Sequence, residues 1–144
     1  MNDNAIEQEI KAKGLTAPRI TPADIEANIV GEYYASGAGA FSNNYVPSGH
    51  YQTLSLLTFC VLVLKNGFTV TGESACASPE NFDEALGRKI ARQNAVNKVW
   101  PLMGYELRTR LRSQELQLAG AFPFESARSS TACDDQFTDY GAGI

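Results

Sequence analysis

The stretch Leu57-Thr58-Phe59-Cys60-Val61-Leu62-Val63-Leu64-Lys65-Asn66-Gly67-Phe68-Thr69-Val70-Thr71-Gly72-Glu73-Ser74 decides the fold of this chain. Two runs rich in β-branched and aromatic residues flank Asn66-Gly67, a dipeptide suited to the two positive-φ positions of a type I′ turn. A two-residue turn there pairs Lys65 with Phe68, Val63 with Val70, Val61 with Gly72 and Phe59 with Ser74, an apolar face. The other face pairs Leu64 with Thr69, Leu62 with Thr71 and Cys60 with Glu73. The first strand is then apolar on both sides, while the second is polar on its outer side. A small domain with few helices covers both faces of such a strand with difficulty, so a second copy of the chain is expected over one of them. The unpaired hairpin edge invites the same association.

Upstream of the hairpin, Thr21 is a good N-cap, Pro22 suits the first helical position, and Asp24 completes a Thr-x-x-Asp box. Ile20 and Ile25 stand where a hydrophobic staple would put them. Ile25, Ile29 and Tyr33 recur at four-residue spacing, so the helix is expected to run on toward a weak end near Gly31. Residues 1–19 are polar and read as a flexible arm, although Ile6 and Ile10 suit a short helix before Gly14 and Pro18. Residues 35–55 are dominated at first by small and turn-forming types and read as a long loop. Tyr45, His50 and Tyr51 in it either form part of a ligand lid or belong to a disordered segment.

Downstream, a helix is expected to begin within Ser78-Pro79-Glu80-Asn81, with Phe82, Leu86, Ile90, Val96 and Trp100 on its apolar stripe. Gln93 and Asn97 fall on the same stripe and Asn94 beside it, so these amides either satisfy backbone groups or line a pocket. Pro101 is expected to end or kink that helix, and a second one to follow over residues 102–117. Residues 119–144 read as a flexible acidic tail. The expected fold is therefore α+β. A β-hairpin-based antiparallel sheet packs on C-terminal helices, one short helix precedes it, and residues 20–118 form a single domain.

The net charge of −4 conceals an asymmetry. Residues 85–112 carry Arg88, Lys89, Arg92, Lys98, Arg108, Arg110 and Arg112 against Glu106 alone, a local balance of +6 that leaves −10 for the rest. Such an island either attracts an anionic ligand or pairs with acids on a neighbouring element. As a ligand site, Arg88 with Arg92 and Arg108 with Arg112 each present two guanidinium forks from one helix face, a geometry suited to phosphate oxygens. Phe82, Tyr105 and Trp100 offer flat surfaces for a base, and Asn94 and Asn97 offer amides for its edge. An acidic chain with a small basic island fits a compact phosphate-bearing ligand better than double-stranded nucleic acid, which favours a longer basic stripe.

Catalytic signatures are missing. There is no phosphate-binding Gly-rich loop, no Gly-x-Gly-x-x-Gly and no Gly-x-Ser-x-Gly elbow. Asp83-Glu84 reads as helix-start electrostatics. One histidine, His50, and three cysteines without a Cys-x-x-Cys pair suit neither a zinc site nor a disulfide framework. No cofactor is expected. The apolar run around Val61-Leu62-Val63-Leu64 is far shorter than the roughly 20 residues of a membrane helix. The first residues show no signal segment, and a cytoplasmic location is the expectation.

The hairpin stretch, followed by Asn81-Phe82-Asp83, Gly87-Arg88-Lys89-Ile90-Ala91, Asn94-Ala95 and Trp100-Pro101-Leu102, resembles the gene-product-49 family of tailed phages. The resemblance covers about residues 20–112. It implies a short accessory protein acting in an infected bacterial cell. The layout is also similar to that of Thoeris anti-defence proteins, oligomers that sequester cyclic ADP-ribose-type signals or cyclic oligonucleotides. That second resemblance implies pockets between protomers lined by an aromatic, an amide and helix arginines, for which Phe82, Asn94, Arg108 and Arg112 match in type and place. The ligand residues expected are thus Phe82, Arg88, Arg92, Asn94, Tyr105, Arg108 and Arg112. The function expected is non-catalytic sequestration of a cyclic nucleotide immune signal by a homo-oligomer. The alternatives are a module that inhibits a host protein and a small DNA-binding regulator.

Overall fold

The structure, a computed structural model, describes residues 3–120. Its elements are α1 (Asp3–Ala12), α2 (Pro22–Asn28), β1 (Ile29–Ser36), α3 (Gly37–Ala40), α4 (Ser48–Ser55), β2 (Leu57–Leu64), β3 (Thr69–Ala75), a 3-10 turn (Pro79–Asn81) and α5 (Glu84–Leu118). The α+β class holds: a three-stranded antiparallel sheet in the order β1-β2-β3 lies against α5. Residues Met1–Arg108 form one compact unit and Thr109–Ile144 a second. The described part of the second is the last turns of α5, where the Ser113 hydroxyl donates to the Thr109 carbonyl at 3.0 Å. Most of the expected acidic tail lies outside the described residues. No described helix is long and apolar enough to cross a membrane.

Asn66-Gly67 turns the chain, but through three residues rather than two. The Leu64 amide donates to the Phe68 carbonyl and the Gly67 amide to the Leu64 carbonyl, each at 2.9 Å. Gly67 sits at φ +83°, and the Asn66 side chain accepts from the Phe68 amide at 3.0 Å. This is the three-residue loop with a left-handed glycine. The extra residue slips the expected register by one, so that Leu62 faces Val70, Cys60 faces Gly72 and Thr58 faces Ser74. The buried face of β2 is therefore Thr58, Cys60, Leu62 and Leu64, whereas Leu57, Phe59, Val61 and Val63 line the other face and stay half-buried.

The third strand is the main departure from expectation. The Thr21 box forms on both sides, with Asp24 accepting from the Thr21 amide at 2.8 Å and its own amide donating to the Thr21 hydroxyl at 3.2 Å. Helix α2 then stops at Asn28 instead of continuing toward Tyr33. From Ile29 the chain is extended and pairs with β2, with an irregularity between Ile29 and Gly31 that leaves Val30 exposed. β-Branched Ile29-Val30 and the alternation of Glu32, Tyr34 and Ser36 with Gly31, Tyr33 and Ala35 favour a strand. The segment read as an arm contains α1, tied to the body by Arg19, whose guanidinium bonds Glu7 at 2.5 and 2.9 Å. The segment read as a loop contains α3 and α4.

Helix α5 runs through Pro101 rather than breaking there. Val99 is fully buried, and Trp100 and Met103 pack on the core, so contacts on both sides of the proline offset the lost hydrogen bond. The buried face of α5 matches the expected one only in part: Val96 is buried and Trp100 packs on the core, but Leu86 and Ile90 are exposed, and Gly87, Ala91, Ala95 and Val99 are buried instead. Small residues win because the helix backbone comes very close to β3: a Cβ on Gly72 would stand 2.2 Å from the Ala91 carbonyl oxygen. The larger core residues Ile25, Leu62 and Val99 each contribute about 1.5–3 kcal/mol on burial.

Candidate functional site

Helix α5 begins where Asp83 accepts from the Leu86 amide at 2.8 Å. This cap fixes the first turns, and Arg88 rises from them on the side facing the end of β1. Its guanidinium lies over the Tyr34 ring, 5.5 Å from the centroid, and bonds Glu84 at 2.6 Å. Between them opens a cavity of about 360 Å³ lined by Tyr34 and Ser36 from β1, Tyr51 and Ser55 from α4, Phe82 before the cap, and Glu84 and Arg88. Three aromatic rings and one guanidinium thus line a space at the lower end of the usual range for small-molecule sites. The surroundings suit a planar group stacked on rings and an anion taken by Arg88.

Behind Tyr34 lies a chain of charged hydrogen bonds. The Tyr34 hydroxyl donates to Glu32. Arg92 donates from Nε to Glu32 at 2.7 Å and from its two terminal nitrogens to Glu26 at 3.2 and 2.8 Å. Burial and the bond to Glu32 together push the Tyr34 hydroxyl well above its ordinary pKa, so the phenol stays protonated. Burial raises the Glu32 carboxyl, but the bonds from Tyr34 and Arg92 outweigh it and hold the group below its usual range. Burial pushes up the pKa of the neighbouring Cys60 thiol. Cys60 and Cys76 are both free, and Cys133 lies outside the described residues.

Of the residues expected at a ligand site, the structure brings Phe82 and Arg88 together. Arg92 is four residues from Arg88 but turns the other way, where two carboxylates occupy its donors. Asn94 donates to the Glu73 carbonyl at 2.8 Å, and Lys98 donates to the Thr71 carbonyl at 2.7 Å. Both carbonyls point to the free edge of β3, so these two side chains close part of the edge that strand addition would need. Tyr105 is 78% exposed and, with Arg108, lies some 26–30 Å along the helix from Arg88 at 1.5 Å per residue. Arg112 belongs to the second unit and pairs with Glu115 at 3.1 Å. Tyr34 and its partner Glu32 escaped the sequence reading, because the alternation that places them on one strand face was read as the end of a helix. Tyr51, read there as part of either a ligand lid or a disordered segment, sits on α4 and lines the cavity.

No group of histidines, cysteines and carboxylates among the described residues is arranged to hold a metal ion. Neither a curated protein nor a solved structure matches the chain, so the comparisons lend nothing to the resemblance with Thoeris anti-defence proteins. A family model does match, over residues 20–111, a span that takes in β1, the hairpin, the cavity and most of α5. The chain therefore belongs to the Phage protein (N4 Gp49/phage Sf6 gene 66) family.

Proposed function

We propose that this phage protein binds, without turning it over, a small phosphate-bearing nucleotide in the cavity between β1, α4 and the start of α5. In the infected cell it would thereby sequester a cyclic nucleotide immune signal of the cyclic ADP-ribose or cyclic oligonucleotide type. The observation that carries this reading is the Arg88 guanidinium held over the Tyr34 ring beside Phe82. A base stacks on the rings, and a phosphate replaces Glu84 on Arg88. With a volume near 360 Å³, the cavity takes about one nucleotide unit, so a cyclic oligonucleotide would seat one base and one phosphate there. Isothermal titration against cyclic ADP-ribose isomers and cyclic di- and trinucleotides tests the reading. Saturable binding that Arg88→Ala removes supports it, and no heat with any of them at tens of micromolar protein rejects it.

Arg92, Lys98 and Arg112 pair with carboxylates of this chain, which weakens the DNA-binding alternative. Self-association accompanies the main proposal. The sheet face away from α5 carries Phe59, Val61 and Val63 with exposed Tyr33, and its one acid, Glu73, already has Lys98 at 3.4 Å. A second copy stacked on this largely apolar face would bury it. Sedimentation equilibrium should show a dimer or higher species that Val61→Glu returns to monomer, and a wild-type monomer at all concentrations removes this part of the proposal.

A further inference from the structure

We infer that Glu32, which does not line the cavity, is the positioning residue that fixes the Tyr34 ring beneath Arg88. The inference rests on the ligand site proposed above and adds a residue to its machinery. Glu32 and Tyr34 are two apart on β1, so both side chains leave the same face of an edge strand, where the Tyr34 ring packs half-buried against the core. The hydroxyl bond to Glu32 fixes the outer end of that ring. Glu32 is itself anchored, because Arg92 Nε holds its other oxygen at 2.7 Å while the rest of the guanidinium grips Glu26 on α2. Three elements, α2, α5 and β1, therefore agree on one orientation of one ring.

The consequence for the site is preorganisation. Arg88 has two flanks, Glu84 at 2.6 Å and the Tyr34 ring at 5.5 Å. Glu84 is exposed and exchangeable, whereas the ring is held from behind. An incoming anion can then displace Glu84 without the guanidinium losing its plane, which keeps the ordering cost of binding low.

The test has two arms. In the first, needing no ligand, the Arg88 side-chain protons are followed by NMR, where the ring current of Tyr34 shifts them. Glu32→Gln and Tyr34→Phe should each move them toward the values of an unstacked arginine, while Val30→Thr, on the exposed irregularity of β1, should not. In the second arm the proteins are titrated with cyclic ADP-ribose. Each single variant should bind about tenfold more weakly, comparable to the loss of an outer-shell partner at a metal site. The double variant should bind no more weakly than either single one, because both break the same bond. Arg88 shifts unchanged in Glu32→Gln, or additive losses in the double variant, overturn the inference. Wild-type protein that shows the shifts but binds no nucleotide overturns the proposed ligand site and leaves the positioning role standing.

Discussion

Replacing Gly72 by alanine should destabilise this protein far more than a single added methyl suggests. The new Cβ would stand 2.2 Å from the Ala91 carbonyl oxygen, 2.3 Å from the Ala95 amide nitrogen and 2.9 Å from the Ala95 Cα. All three are helix backbone atoms, so no side chain can swing aside. Restoring ordinary contact requires α5 to retreat from β3 by about 1 Å, and a radial gap of that size forfeits about half of the dispersion between the two surfaces. Ala91, Ala95, Val96 and Val99 are the residues seated there. At about 0.8 kcal/mol per methyl group and about 2 kcal/mol per valine, their burial is worth about 6 kcal/mol, and half of that is about 3 kcal/mol. Urea unfolding followed by far-UV circular dichroism should show that loss with an unchanged m value, and the melting temperature should fall by about 10 °C. Gly67→Ala is the control. Gly67 has φ +83° and nothing within 4 Å of an added Cβ, so it should cost only the left-handed backbone strain of about 1–2 kcal/mol. If Gly72→Ala is no worse than Gly67→Ala, the close approach of helix and strand is not what the structure states.

Arg88→Ala and Phe82→Ala should each weaken nucleotide binding at least tenfold, and Arg88→Ala should leave the melting temperature within about 2 °C, since exposed pairs such as Arg88–Glu84 contribute little to stability; isothermal titration and differential scanning fluorimetry read the two effects. Stability should fall on acidification. Hydrogen bonds from Thr21 lower the Asp24 pKa, and those from Tyr34 and Arg92 overcome burial to lower that of Glu32, so their contributions are complete above the unfolded carboxylate range and are lost as pH drops through the lower folded values. Urea midpoints measured from pH 7 to pH 3 should trace that loss, and Glu32→Gln should flatten the slope. Pro101→Ala should raise stability by about 1–3 kcal/mol by restoring a helical hydrogen bond inside α5, seen as a higher urea midpoint.

The strongest local signals were legible in the sequence and the two-state choices were not. The Thr21 cap, the antiparallel pair around Asn66-Gly67 and the helical character on either side of Pro101 follow from local chemistry, and all three are in the structure. The slipped register was not legible, because Asn-Gly serves a two-residue and a three-residue loop alike. What decides between them is non-local: Val70 and Gly72 have to lie under α5, and only the longer loop puts them there. Strand β1 was hidden for a similar reason. Ile25, Ile29 and Tyr33 satisfy a helical period, but pairing with β2 supplies a ladder that the local sequence does not announce. Large apolar residues mark the core side of α5 at Val96 and Trp100 but not at Leu86 and Ile90, because a backbone crossing this close selects alanine and glycine.

The seven basic residues between 85 and 112 show how a charge count becomes a site only after subtraction. Arg88 and Arg92 are one helical turn apart and equal in sequence, yet their fates differ. Arg92 meets Glu26 and Glu32, which are carried on elements that must stay where they are for α2, β1 and α5 to pack. An anionic ligand at Arg92 would have to compete with two carboxylates at once and loosen that junction. Among the described residues, Arg88 meets Glu84, a neighbour on its own helix in an exposed pair, and an aromatic ring that does not compete for its donors. Displacing one solvated carboxylate costs little, and a phosphate delivers two acceptor oxygens to the same fork. The sequence counts both residues alike, but the fold spends one on holding its elements together and leaves the other at the mouth of a cavity. Weakening each hold in turn, by Glu84→Gln at Arg88 and by Glu26→Gln at Arg92, which keeps its bond to Glu32, should therefore tighten nucleotide binding in the first variant and, by loosening the anchor behind Tyr34, weaken it slightly in the second. Titration calorimetry decides the matter, and a gain confined to Glu26→Gln would move the site to the other side of the helix.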